Sequence, residues 1–226
     1  MKPYDTEQDK KEQVREMFDR IAPAYDRLNH TLSFQIDKLW RRHVVRIVRR
    51  MQPRRILDVA TGTGDLALAM ARRMRGVQVL GVDLSENMLA EARRKATACG
   101  LDERVVLSLG DAERLEVADA SVDVVTVAFG VRNFGDLGAG LREIARVLKP
   151  GGKVVILEFS TPRNPLFRRV YGLYSHRLLP AIGGMISKDR KAYEYLPASV
   201  DEFPRSEEHT SELQSRQYLV CRLLLE

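Results

Sequence analysis

Five short apolar runs, at residues 55–60, 78–82, 105–109, 122–128 and 153–159, alternate with stretches of helical period at 66–74, 87–98 and 137–148. Runs so short and so continuously apolar read as strands buried on both faces. Strands separated by helices pair in parallel. The pattern predicts an α/β chain, a mostly parallel sheet with helices on both faces. Ahead of it, Val14, Phe18, Ile21 and Ala22 recur at helical spacing, as do Leu39, Trp40, Val44, Val45 and Val48. Residues 8–50 are therefore expected to be helical, stopping before Pro53.

The 226 residues suit one such domain with a sizeable core. Cys99 and Cys221 are far apart and form no metal-ligand spacing, which points to a reducing, cytoplasmic setting. The polar N-terminus carries no signal-peptide core, and no run of 18 apolar residues is present. A net charge of +6 is too mild to call for nucleic acid, but it suits an anionic membrane surface. His30, His43 and His176 make no metal spacing, so no metal is expected. The sequence assigns no oligomeric state.

The chemistry concentrates at strand tips. Residues 58–65 read D-V-A-T-G-T-G-D, between the first strand and the helix after it. Gly62 and Gly64 let the backbone turn tightly and approach a ligand. The second strand ends in Asp83, placed to hold ribose hydroxyls. Gly62-x-Gly64-x-x-Ala67 also satisfies the dinucleotide pattern, which leaves an NAD-dependent dehydrogenase open. Asp58 and Asp65 argue against it. A carboxylate beside this turn repels a pyrophosphate, whereas Asp58 can meet the ammonium end of S-adenosyl-L-methionine, directly or through water. Asp111 can accept from an adenine amino group, with Ala112 leaving room for the ring. The fourth strand runs into F-G-V-R-N, where Arg132 can stabilise a phenolate and Asn133 can hydrogen-bond a quinol oxygen. Glu158 ends the fifth strand beside the same pocket.

These segments together resemble the demethylmenaquinone/2-polyprenyl-benzoquinol methyltransferase family. The resemblance covers about residues 11–204. It rests on F-D-R-I-A-P-A-Y-D-R-L-N at 18–29, the D-V-A-T-G-T-G-D turn, D-L-S-E-N-M at 83–88, F-G-V-R-N at 129–133, and R-V-L-K-P-G-G at 146–152 leading to E-F-S at 158–160. It departs at Leu28, Asp37 and Ala128, where the family often has Met, His and, in some members, Ser. The resemblance implies a Rossmann-like class I methyltransferase fold using S-adenosyl-L-methionine. It implies cofactor contacts at Thr63, Asp83, Asp111 and Ala112, joined by Asp58, Gly62 and Gly64 from the turn. Tyr25, Asp26 and Asn29 would belong to a helical lid over the substrate. The implied reaction is C-methylation of a prenylated quinol, demethylmenaquinol before the polyprenyl-benzoquinol precursor of ubiquinone or another small lipophilic acceptor. Asp26, Glu158 or water would take the proton.

Three regions are expected: a helical lid at 1–52, a cofactor-binding core at 53–204, and a tail at 205–226. Residues 163–187 mix aromatic and aliphatic groups with Arg163, Arg168, Arg169, His176 and Arg177, which suits a peripheral contact at the inner face of the membrane. The tail opens R-S-E-E-H-T-S-E-L-Q-S, which looks like a translated sequencing adapter. The family instead continues with another helix and two closing strands. In their absence the strand at 153–159 is expected to be a bare edge, with poor solubility or weak cofactor affinity as the consequence.

Overall fold

In the computed structural model, residues 2–4, 6–159, 169, 172–174, 177, 180–181, 189–202 and 219–223 are described. Two helices, α1 (Lys10–Leu32) and α2 (Ile36–Arg50), precede an alternation of β1 (Arg55–Val59), α3 (Asp65–Arg73), β2 (Gln78–Asp83), α4 (Glu86–Ala98), β3 (Val105–Leu109) and β4 (Val122–Ala128). A short 3-10 turn at Val131–Asn133, α5 (Leu137–Val147), β5 (Leu148–Phe159), α6 (Arg190–Glu202) and β6 (Leu219–Leu223) complete the described elements. The sheet order is β3-β2-β1-β4-β5-β6, and every neighbouring pair is parallel.

Local chemistry sets the helix boundaries. Asp9 caps α1 by accepting from the Glu12 N–H at 2.8 Å, and Asp136 caps α5 by accepting from Ala139 at 2.9 Å. Between α1 and α2 the chain reverses through Phe34 and Gln35, both in the left-handed region. The alternation of the strands builds two cores. Ile56, Val124, Val155 and Leu157 face α2 and α3, meeting Val44, Val48, Leu66 and Met70. Leu57, Val125, Val127, Val154 and Ile156 face the other way, against Ile144 and Val147 of α5. A third cluster joins α1 to α6, with Met17, Ile21 and Leu28 against Ala192, Tyr193 and Tyr195.

The sheet, its parallel pairing and the two leading helices match the expectation from sequence. Two details differ. The fifth strand begins at Leu148, because the K-P-G-G turn is drawn into the ladder where Leu148 pairs with Val122. The edge expected to be bare is covered: Leu219–Leu223 pairs with Val155–Phe159, so its backbone groups find partners in an extended segment of the tail. Most of the 163–187 stretch lies outside the described residues.

The fold places a crevice where the order reverses. The connection after β1 packs α3 on one face and the connection after β4 packs α5 on the other. Their carboxyl ends therefore diverge, and ligands of such sheets collect at that point. Ala60 and Phe129, one at each strand end, both take left-handed backbone, with φ of 53° and 59°. The two turns touch: a Cβ on Gly130 would lie 2.5 Å from the Ala60 Cβ. Gly130→Ala is expected to overpack this junction and lower unfolding free energy by about 1–3 kcal/mol in urea titration.

Candidate functional site

The carboxyl ends of β1, β2, β3 and β4 surround a cleft of about 720 Å³, measured out to bulk solvent, with α1 across its mouth. Gly62 forms one wall at φ 57°, and a Cβ there would meet nothing within 4 Å. Glycine is thus needed for backbone conformation, and the wall stays open to a ligand. The Gly62 N–H donates to Asp83 Oδ2 at 2.7 Å, and the Ser85 N–H donates to Asp83 Oδ1 at 2.9 Å. The acid at the tip of β2 thereby ties the β1 turn to the start of α4, and its remaining lone pairs are available to hydroxyl donors. Burial holds Asp83 above the ordinary carboxylate range, against the pull of those N–H groups.

The far end of the cleft is acidic and bridged. Asp111 Oδ1 accepts from the Glu113 N–H at 2.9 Å, and Lys11 of α1 reaches both Asp111 and Glu113 at 2.7 Å. Those contacts raise the Lys11 pKa. Lys10 donates to the carbonyls of Arg132 and Phe134, at 3.0 and 2.9 Å. Farther along α1, Asp19 accepts from the Ser85 hydroxyl at 2.6 Å. The helix is thus fastened across the cleft at several points.

A second, larger space, about 1610 Å³ measured likewise out to bulk solvent, lies between α1, α2 and α6. Met17, Ile21, Leu32, Trp40 and Phe159 make it apolar. Phe129 and Phe159 stack with centroids 4.5 Å apart, and Trp40 meets Phe159 edge-on at 5.8 Å. Phe18, Tyr25, Phe129 and Asn133 line both spaces, so the two adjoin there.

Two polar groups stand where the two spaces adjoin. Arg132 is buried; its Nη1 donates to Glu158 and to the Phe129 carbonyl, its Nε to Ser199 Oγ at 3.2 Å, and its guanidinium lies 5.6 Å from the Phe159 ring centroid. Asn133 Oδ1 accepts from the Tyr195 hydroxyl at 3.2 Å, which turns the amide NH₂ toward the Phe129 carbonyl at 3.5 Å. Burial pushes Tyr195 up to about 12 and also raises Tyr25, so both remain neutral hydroxyls.

Among the residues singled out from sequence, Gly62, Asp83, Asp111 and Ala112 line the cleft, Asn29 and Arg132 line the apolar cavity, and Tyr25 and Asn133 line both. Asp58, Thr63, Gly64, Asp26 and Glu158 line neither, and each is accounted for by a contact. Asp58 lies behind the turn, accepting from Thr61 Oγ1 at 2.7 Å and from Thr126 Oγ1, its register partner on β4. Gly64 starts α3 in left-handed backbone. Thr63 points away from the cleft and donates to Asp26, whose other oxygen accepts from Lys95 at 2.7 Å. Lys95 also holds Asp65 at 2.6 Å. Burial acts to raise the Asp65 pKa, but the charges of Arg41 and Lys95 outweigh it and hold it low. With both oxygens engaged, Asp26 is a fastening of the lid helix and not a free proton acceptor. Glu158 is likewise turned onto Arg132; its Oε2 is buried with no partner among the described residues.

Lys11, Phe129, Tyr195 and Ser199 were not anticipated. Tyr195 reaches Asn133 across 62 positions, a contact no local pattern encodes. Phe129 carried one usable signal, its place inside the F-G-V-R-N turn.

The chain matches known proteins over most of its length. A family model described as the ubiE/COQ5 methyltransferase family matches residues 6–218. The chain is 45% identical over 207 residues to demethylmenaquinone methyltransferase of Bacteroides fragilis, covering 92% of this chain and 84% of that one. It is 50% identical over 201 residues to the ubiquinone/menaquinone biosynthesis C-methyltransferase UbiE of Geobacter sulfurreducens, covering 88% and 78%. In fold it is similar to a Methanococcus maripaludis protein described as an S-adenosyl-L-methionine-dependent methyltransferase, with a TM-score of 0.59 at 22% identity, covering 82% of this chain and 84% of that one.

The buried acid behind the turn has a consequence for stability. Burial pushes Asp58 up from 3.8 to about 6, against the hydrogen bonds from Thr126 and Thr61. The folded chain therefore holds a proton that the unfolded chain releases near 3.8. Its contribution to stability is full below that value and is lost as pH rises through about 6. Asp58→Asn is expected to flatten this part of the stability profile, by about 3 kcal/mol at most, in urea midpoints measured from pH 4 to pH 7 at about one-unit steps.

Proposed function

This chain belongs to the ubiE/COQ5 methyltransferase family, and we propose that its two joined cavities serve the C-methylation of demethylmenaquinol. The cofactor is S-adenosyl-L-methionine. The observation that carries the assignment of parts is the shared wall of Phe18, Tyr25, Phe129 and Asn133. There a cleft carrying Asp83, Asp111 and Glu113 at the strand ends adjoins a larger cavity lined mainly by apolar side chains.

The cleft fits the cofactor by its donor set. Asp83 offers carboxylate lone pairs to ribose hydroxyls, Gly62 leaves open space beside it, and Asp111 with Ala112 offers an acceptor and a small side chain to an adenine. When bound, S-adenosyl-L-methionine supplies an electrophilic methyl group. Asp58 acts indirectly, holding Thr61 and Thr126 so that the turn keeps its shape.

On the other side of the wall, the quinol ring enters among Tyr25, Phe129 and Phe159, and its tail lies along Met17, Ile21 and Leu32. The ring carbon is nucleophilic only when the quinol hydroxyl is ionised or strongly hydrogen-bonded. The Arg132 guanidinium, paired through Nη1 with Glu158, lines the cavity and favours the anion electrostatically. The Asn133 NH₂, aimed by Tyr195, donates to a ring oxygen. Neither Asp26 nor Glu158 is placed to remove the proton, so water at the mouth of the cavity takes it. The aromatic wall then aligns the ring with the cleft, an orientation effect worth several kcal/mol in reactions of this kind.

A tail dissolved in the bilayer supports the reading of a chain that works at a membrane surface, peripheral at the inner, cytoplasmic face. No helix of the described residues is long and apolar enough to cross.

The test is transfer of labelled methyl from S-adenosyl-L-methionine to demethylmenaquinol, expected to give a ring-carbon methyl. Binding of S-adenosylhomocysteine with no label in the quinol would overturn it. Two variants separate the halves of the site. Asp83→Asn is expected to weaken S-adenosylhomocysteine binding in calorimetry by about tenfold or more, leaving the quinol KM unchanged. Asn133→Ala is expected to lower kcat by about 100-fold through the loss of one donor, with S-adenosylhomocysteine affinity nearly intact.

A further inference from the structure

The corner between α1 and α2 has a surface the reaction does not explain. Phe34 is 75% exposed, Leu39 is 56% exposed, and Ile36 is exposed beside them. Phe34 is held outward in left-handed backbone at φ 50°, a conformation that costs a bulky residue energy. On the adjoining exposed face of α2 stand Lys38, Arg42, Arg46, Arg49 and Arg50. The one acid of this helix, Asp37, is buried and committed to Arg41, Ser33 and His30. The exposed face is thus apolar at its tip and purely basic behind it. That is the composition of an element that seats its apolar groups at the headgroup boundary while its cations meet lipid phosphates.

The tip is also the edge of the larger cavity. Phe34 and Ile36 line that cavity together with Leu32 and Trp40, and Phe34 packs against Tyr174 at a centroid distance of 6.4 Å. The next residue back, Leu173, is 61% exposed and extends the apolar patch.

We propose that the α1–α2 corner is a membrane-docking tip, seating Phe34, Ile36 and Leu39 in the interface of an anionic bilayer so that the apolar cavity opens onto the lipid. This rests on the reading of that cavity as the site of a prenylated quinol, and it adds how the tail is reached: along the bilayer plane, without leaving apolar surroundings. Charge complementarity selects the partner. Five exposed cations with no exposed acid on the same helix fit an anionic leaflet, and three exposed apolar side chains at the tip have no use on a nucleic-acid backbone.

The experiment is flotation of the full chain with phosphatidylcholine vesicles, with and without about one-third phosphatidylglycerol. Stronger partition is expected with the anionic vesicles and loss of it in high salt. Leu39→Glu, and separately the pair Arg42→Glu with Arg46→Glu, are each expected to lower the partition at least about tenfold. Both variants are expected to bind S-adenosylhomocysteine as the parent chain does and to methylate a short-tailed, water-soluble quinol at the same rate. Partition equal to that of the parent chain in both variants would overturn the proposal. So would retention of a DNA duplex by the parent chain without flotation of either vesicle. Flotation reads docking alone and is independent of turnover, so failure on the short-tailed quinol would count against the assigned reaction and not against the tip.

Discussion

Strands β1 and β4 lie side by side in the sheet, yet their connections leave to opposite faces, α3 to one and α5 to the other. Everything functional is arranged around the gap this creates. The strand ends curl through left-handed residues, Ala60 and Phe129, and the gap between them is closed at its base by the contact of Gly130 with Ala60. Asp83 then ties the β1 turn to α4. The cleft is held by backbone hydrogen bonds to one carboxylate, and so is shaped before any ligand arrives.

The second constraint is α1. Lys11, Lys10, Asp19 and Asp26 fasten it across the sheet, each through a contact to a different loop or helix. These fastenings are partly exposed ion pairs and hydrogen bonds, individually worth little. Apolar packing supplies the larger share of the hold, chiefly against α4, where Val14 and Met17 share a buried cluster with Met88. One helix thereby roofs the polar cleft with one stretch and walls the apolar cavity with another. Tyr25 belongs to both because it sits where the two stretches meet.

What the sequence made legible follows the range of the interactions involved. The glycine turn, the acid ending β2 and the G-D-A segment after β3 are local devices, and Gly62, Asp83, Asp111 and Ala112 line the cleft at the strand ends. The sequence alone lets Asp58 meet the cofactor's ammonium end, directly or through water. Its direction depends on strand register, which pairs it with Thr126 and sends it inward. Asp26 and Glu158 look like free carboxylates in a string of letters, but their partners Lys95 and Arg132 come from distant elements. Tyr195 was invisible for the same reason. The expected bare edge of β5 was a statement about missing strands, and an extended piece of the tail satisfies the same backbone groups.

The account stands on the claim that the two cavities meet at the reacting atoms. A crystal structure of the chain with S-adenosylhomocysteine and menaquinol tests this directly. The product's ring methyl is expected at the wall between Tyr25 and Phe129, within about 4 Å of the sulfur, with a ring oxygen in hydrogen-bond reach of Asn133 or Arg132. A quinol ring seated away from that wall, with its tail outside the cavity between α1, α2 and α6, would contradict the account.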